Sequence, residues 1–273
     1  MTGLVAGPTR LYGIIGEPIA QVRSPAVFNA AFRQSGVDAV LVPLHVPRDG
    51  FAETMRGLMR LGNLGGFMIT IPHKQATMAL VDEIRPRARR VGAINAVRRE
   101  ADGRWVADMF DGLGFVLGLE KSGHKLAGRR LLLVGAGGAG SAIADAAAEA
   151  GAAAMTIVDL DRAKAERLAA TIAAAYPGVA VTCADAPAPA GHDLVVNATP
   201  MGMRPGDPLP IPPDDLTADM LVADVITKPE VSPLLEAARS KGCATQIGRL
   251  MAEGQSAAVA DFFGLTLDWS GVT

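Results

Sequence analysis

RRLLLVGAGGAGSAIADAAAEAG, residues 129–151, decides the fold. Four apolar residues, Leu131 to Val134, run straight into glycine, as a buried parallel strand does. Gly135-Ala136-Gly137-Gly138-Ala139-Gly140 then fits G-x-G-x-x-G, and an alanine-rich helical stretch follows. In that order the glycines have a mechanical meaning. The first permits a tight turn, the second lets a pyrophosphate approach the backbone, and the third lets the helix pack on the strand. The helix N-terminus then faces the phosphates. The competing reading is an ordinary strand-to-helix turn. MTIVDLD, further along, favours dinucleotide binding, because Asp159 ends the next apolar run about 20 residues past the last glycine. A carboxylate there accepts from both ribose hydroxyls of NAD and repels the 2′-phosphate of NADP. NAD is therefore the expected cofactor, although Arg162 and Lys164 are close enough in sequence to reach a phosphate. Asp159 could instead serve as a turn residue or helix cap.

Working outward, VAVTCAD (179–185), HDLVVNAT (192–199) and MLVADVI (220–226) are further short apolar runs. Strands alternating with helices predict an α/β fold with a doubly wound parallel sheet. The first third alternates in the same way. LYGIIG (11–16) reads as a strand, and Ser24-Pro25 opens a helix that stops near Gly36. VLVPLHV (40–46) is a second strand, placed at a sheet edge by Pro43. A helix over 48–61 carries Phe51, Met55, Leu58 and Met59 on one face, and GFMITI (66–71) is a third strand. INAVRR (94–99) and RWVADM (104–109) form a hairpin, and 112–121 is helical.

The 273 residues suffice for one or two domains, and 49% of them are apolar, which argues against disorder. With 26 basic and 28 acidic residues, nothing points to nucleic acid or a membrane surface. The two cysteines and four histidines are scattered without metal-ligand spacing, so no metal and a reducing cytoplasm are expected. MTGLVAGPTR does not read as a signal peptide, and the stretch 131–155 is too interrupted by charge and glycine to span a membrane.

GGFMITIPHKQATM (65–78) places Lys74 just past a strand and a proline, in what reads as the first turn of a helix. A cation there opposes the helix dipole. The ordinary reading is a solvated loop lysine, and for Asp111 an N-cap. The alternative is a catalytic pair. Oxidising a secondary alcohol requires removal of its hydroxyl proton; a lysine made less basic by burial can take it while a carboxylate orients the lysine.

GEPIAQVRSP, MITIPHK, VGAINAV, DMFDGLG, VGAGGAG, VNATPMGM, ADVITKPEVSPLL and GRLMAEGQSA follow one another as in the shikimate/quinate dehydrogenase family, which the chain resembles over nearly its whole length. The resemblance implies two domains with the active site in the cleft between them. Residues 1–110 with 248–273 would hold substrate, and 111–247 would form a Rossmann-type NAD domain. It assigns the catalytic pair to Lys74 and Asp111. It assigns substrate contacts to Ser24, Thr70, Asn95, Gln255 and Thr227. Cofactor contacts fall on Gly135, Gly137, Gly138, Ala139, Gly140, Asp159, Asn197, Thr199, Pro200 and Met201. The implied activity is NAD-dependent interconversion of shikimate and 3-dehydroshikimate, or of a close cyclic hydroxy acid such as quinate, by a monomer or homodimer. Its implied setting is aromatic amino acid biosynthesis, although NAD use leans toward catabolism.

Departures from the family pattern matter too. Val22, Met68, Ala96 and Met109-Phe110 stand where the family carries polar residues, and Thr227 replaces a tyrosine. Each lost hydrogen bond to a buried hydroxyl costs about 1–3 kcal/mol, so the substrate is either gripped differently or different, an aminoshikimate for instance. A non-catalytic NAD-binding sensor is the alternative from another class. A folate-type methylene dehydrogenase, which also uses a lysine, fits the S-P and N-A-T-P-M-G-M segments poorly.

Overall fold

The structure, a computed structural model, describes residues 5–272. The first four residues of MTGLVAGPTR and Thr273 lie outside the described residues. The chain divides into two compact units: the described residues up to Phe110 with those from Ser256 onward, and Asp111–Gln255. The return to the first unit falls within a helix, α8 (Gly248–Phe262), rather than at its start.

The first unit is built on a mixed sheet of β1 (Arg10–Gly16), β2 (Ala39–His45), β3 (Leu64–Ile69), β4 (Glu83–Ile84), β5 (Ala96–Arg99) and β6 (Trp105–Asp108). Their order is β2-β1-β3-β5-β6-β4. β2 lies at the edge, where Pro43 leaves no ladder donor unmet. β5 and β6 form the expected antiparallel hairpin, with Arg99 opposite Trp105. Helices α1 (Ser24–Gln34), α2 (Phe51–Leu58) and α3 (Pro86–Val91) accompany this sheet, with the C-terminal part of α8. Phe28, Phe32, Phe51 and Met55 fill the core beneath α1 and α2. β4 and α3 have no counterpart in the sequence reading, being too short to show a period. The aromatic tail belongs to this core: Phe263 stacks on Tyr12 and Trp269 meets Phe28 edge-on.

The second unit is a parallel sheet of β7 (Arg130–Val134), β8 (Ala154–Val158), β9 (Ala180–Cys183), β10 (Leu194–Asn197), β11 (Leu221–Asp224) and β12 (Ala244–Gln246), in the order β12-β11-β10-β7-β8-β9. Helices α4 (Asp111–Lys121), α5 (Gly138–Glu149), α6 (Arg162–Ala175) and α7 (Pro233–Ser240) accompany it. Alternate residues of one strand serve opposite layers. Leu131 and Leu133 pack with Ile143 and Ala147 of α5, while Leu132 and Val134 pack with Leu234 and Leu235 of α7. Two-sided burial is why these strands read as continuous apolar runs.

Candidate active site

In the second unit the glycine turn closes over the end of β7. Gly135 has φ +105°, a left-handed conformation, and a Cβ there would lie 2.9 Å from the Ala198 backbone. A Cβ on Gly140 would come within 1.8 Å of the Gly135 carbonyl oxygen, so the start of α5 packs against the turn only because that residue is glycine. Gly137 differs, because a Cβ there meets nothing within 4 Å. The backbone at Gly137 is open and exposed beside the first turn of α5, which is the cradle a dinucleotide pyrophosphate requires. Gly138 and Ala139, both half-buried, begin the helix.

Asp159 follows β8. Its Oδ2 accepts from the Ala136 N–H at 2.7 Å and its Oδ1 from the Asp161 N–H at 2.8 Å. Asp161, not Asp159, caps α6, accepting from the Lys164 N–H. Asn197, at the end of β10, is fully buried and its side chain is wholly engaged. Oδ1 accepts from the Thr199 N–H and hydroxyl, and Nδ2 donates to the Met201 carbonyl and to Asp224. It shapes the loop that carries Thr199, Pro200 and Met201. Asp224 and Ser232, which stand within ADVITKPEVSPLL but have no role in the sequence reading, complete this buried network. Asp111 is buried and opens α4. α8 passes α4 closely, for a Cβ on Gly114 would lie 2.8 Å from the Gln255 Cβ. Thr227 is exposed in the loop after β11.

In the first unit Lys74, Thr70 and Asn95 are drawn to one end of the sheet. The Thr70 N–H donates to the Ile15 carbonyl, and the Ile69 N–H to the Asn95 carbonyl. The Ile94 N–H donates to the Lys74 carbonyl at 3.0 Å. Lys74 is half-buried and lies in a turn, just before a short 3-10 helix (Ala76–Leu80) rather than in its first turn. Asn95 is buried, and its Oδ1 accepts from the Phe110 N–H at 2.9 Å, so it holds the segment leading to Asp111. Ser24 is the first residue of α1 and makes no capping bond; the cap position is Arg23.

His73 received no role from the sequence, although its place between Pro72 and Lys74 was a visible signal. It is 2% exposed. Its ring stacks on Phe51 at 3.9 Å, and its Nε2–H donates to the Val46 carbonyl at 2.7 Å. The turn that presents Lys74 is thereby pinned from below. Four departures from the family pattern, Met68, Ala96, Met109 and Phe110, are buried. Met68 and Ala96 are cross-strand partners. The two losses of polarity compensate each other in one apolar patch. Phe110 packs against Phe262 and under the Arg87 guanidinium, which pairs with Asp108 at 2.8 Å.

A Rossmann-type unit with an open glycine cradle, joined to a second α/β unit carrying a pinned lysine, defines the class: a dinucleotide-dependent oxidoreductase architecture. The comparisons with known proteins narrow it. Residues 14–97 match the family model of the shikimate dehydrogenase substrate binding domain. The Shikimate dehydrogenase (NADP(+)) of Symbiobacterium thermophilum is 40% identical, over 94% of this chain and 90% of that protein. Shikimate 5-dehydrogenase from Listeria monocytogenes, solved with shikimate and NAD, superposes with a TM-score of 0.88 at 29% identity, covering 100% of this chain and 98% of that one. The 5-ketofructose reductase of Gluconobacter superposes with a TM-score of 0.84 at 33% identity, covering 96% and 95%. The chain belongs to the shikimate/quinate dehydrogenase family.

One expectation is corrected. Relatives from Symbiobacterium thermophilum, Rubrobacter xylanophilus, Rhodospirillum rubrum and Geobacter metallireducens are all named Shikimate dehydrogenase (NADP(+)), against the NAD preference drawn from Asp159. The structure supplies the physical reason. Both Asp159 oxygens accept backbone N–H groups and brace the glycine turn, so the residue has a purpose that is independent of the ribose. Arg162 and Lys164 follow in the first turn of α6. Among the described residues no group of three or more His, Cys, Asp or Glu could hold a metal, and no helix is long and apolar enough to cross a membrane.

Proposed function

We propose that the protein interconverts shikimate and 3-dehydroshikimate with NADP(H). The second unit would hold the dinucleotide, and the first would supply most of the contacts to the cyclic hydroxy acid. The observation that carries this reading is the meeting of the Thr70–Lys74 segment with Asn95, from the separate segment that precedes β5, at one end of the first sheet. When bound, the dinucleotide supplies a hydride acceptor at its nicotinamide ring. Lys74 takes the hydroxyl proton in oxidation and returns it in reduction, and Asp111 is the second member of the catalytic pair. Ser24, Thr70, Asn95, Gln255 and Thr227 bind and orient the ring substituents. Gly135, Gly137, Gly138, Ala139 and Gly140 cradle the pyrophosphate. Asp159 and Asn197 hold the loops around it, and Thr199, Pro200 and Met201 line its path.

The test is oxidation of shikimate and of quinate by the purified chain with NADP+ and with NAD+, followed by reduced-cofactor absorbance. Shikimate turnover with NADP+ that disappears in Lys74→Ala is the expected result. Silence with both acids would overturn the substrate.

A second reading keeps the chemistry and changes the substrate. The buried Met68, Ala96, Met109 and Phe110 remove polar groups from the family pattern. The similar Gluconobacter structure is of a 5-ketofructose reductase. NADPH-dependent reduction of 5-ketofructose without shikimate turnover would favour a neutral keto sugar over a cyclic acid.

A further inference from the structure

Asp224 is a buried carboxylate with no part in the proposed proton transfer. It ends β11, 2% exposed, directly across from Asn197 at the end of β10. Asn197 in turn lies opposite Val134, the residue before the glycine turn. Four hydrogen-bond contacts converge on the two oxygens. Oδ1 accepts from the Ile226 N–H at 3.0 Å and from Asn197 Nδ2 at 3.2 Å. Oδ2 accepts from the Ser232 hydroxyl at 2.6 Å and again from Asn197 Nδ2 at 3.2 Å. Burial raises the Asp224 carboxyl above its ordinary pKa, while the Ser232, Ile226 and Asn197 donors pull it back down.

The partners lead in two directions. Asn197 passes the constraint to the loop after β10: its Oδ1 takes both Thr199 donors, its Nδ2 reaches the Met201 carbonyl, and the Met201 N–H donates to Thr199 Oγ1. Ala198 and Thr199 are the residues that sit against Gly135, within 2.9 Å of where a Cβ would stand. Ser232 and Ile226 pass it to the loop after β11. Ser232 accepts from the Leu235 N–H and caps α7, and Ile226 precedes Thr227. An asparagine at 224 would replace one acceptor oxygen by a donor facing other donors, leaving buried groups unpaired.

We propose that Asp224 is a positioning residue that, through Asn197 and Ser232, sets both loops leaving the sheet beside the glycine turn: the one against the dinucleotide cradle and the one carrying Thr227. A cofactor loop and a substrate-contact loop thus share one buried anchor. The proposal rests on the reading of this unit as dinucleotide-binding.

Calorimetric titration of NADP+ into the full chain tests it, with Asp224→Asn, Ser232→Ala and a control, Val222→Ala. Val222 is a fully buried neighbour in β11 that touches neither loop through hydrogen bonds. Asp224→Asn is expected to weaken NADP+ about tenfold, and Ser232→Ala about threefold. Val222→Ala lowers the melting temperature and leaves the affinity within about twofold. Asn197→Ala and Asp224→Ala combined should weaken binding by less than the product of the singles, because they share one network. If the parent binds NADP+ and both Asp224→Asn and Ser232→Ala bind it equally well, the positioning role is wrong and the cofactor reading stands. A parent that binds no NADP+ overturns both. Should Asp224→Asn fail to fold, Ser232→Ala decides alone, unchanged affinity overturning the role.

Discussion

The two units offer opposite means of building the proposed binding sites. In the second, the cradle is backbone, and its fit comes from the side chains that three glycines lack. In the first, the site is side chains on turns beyond the sheet, and its geometry comes from buried groups beneath them: His73 under Lys74, and Asn95 under Phe110. A backbone site cannot tolerate a single added methyl where chains touch. A side-chain site tolerates repacking nearby provided the pins remain, as the paired Met68 and Ala96 illustrate.

That contrast is easiest to break at the proposed acid/base. Lys74→Ala should lower kcat by about 10²–10⁴ with an unchanged melting temperature; a smaller loss would remove Lys74 from the chemistry. Gly140→Ala should cost about 3 kcal/mol of stability in thermal or urea unfolding, since its Cβ has nowhere to go against the Gly135 carbonyl. A mild effect would show that the turn relaxes and that the backbone site is less rigid than described. His73→Phe keeps the stack on Phe51 but strands the Val46 carbonyl, and should cost about 1–3 kcal/mol with a matching fall in turnover. Gly137→Ala sharpens the comparison, because the free protein has room for the methyl and only a bound pyrophosphate would meet it. Dinucleotide affinity should fall about tenfold at constant melting temperature.

The smallest effect concerns Asp193, whose carboxyl is held below its ordinary pKa chiefly by the Arg130 N–H. A depressed folded-state pKa means that the stabilisation is present above the unfolded value and lost as pH falls through the folded one. Asp193→Asn should therefore lower the melting temperature slightly at pH 7, with the difference shrinking as pH falls below about 4 and gone once the folded-state carboxyl is protonated. A difference that persists in acid would assign the effect to the loss of hydrogen-bond geometry instead.

Local patterning in the sequence determined β7 to β11 of the second sheet, though not the short β12, together with the glycine turn, the β5–β6 hairpin and the edge position of β2. Each follows from residues adjacent in the chain: apolar runs, glycine spacing, a proline. The residues raised Lys74 and Asp111 as a candidate pair beside ordinary readings, and the resemblance to a family chose between these readings. What the tertiary structure alone decided is how the buried polar groups are engaged. Asp159 looked like a ribose acceptor because spacing cannot show that the Ala136 and Asp161 N–H groups both bond to it. Asn197 was expected beside the cofactor, and spacing could not show that its amide also organises its own loop and bonds to Asp224. Asp224 and His73 were assigned no role because a decisive partner of each lies 27 residues earlier in the chain, Asn197 in one case and Val46 in the other. A hydrogen bond between residues that far apart leaves no period in the sequence; only folding brings donor to acceptor.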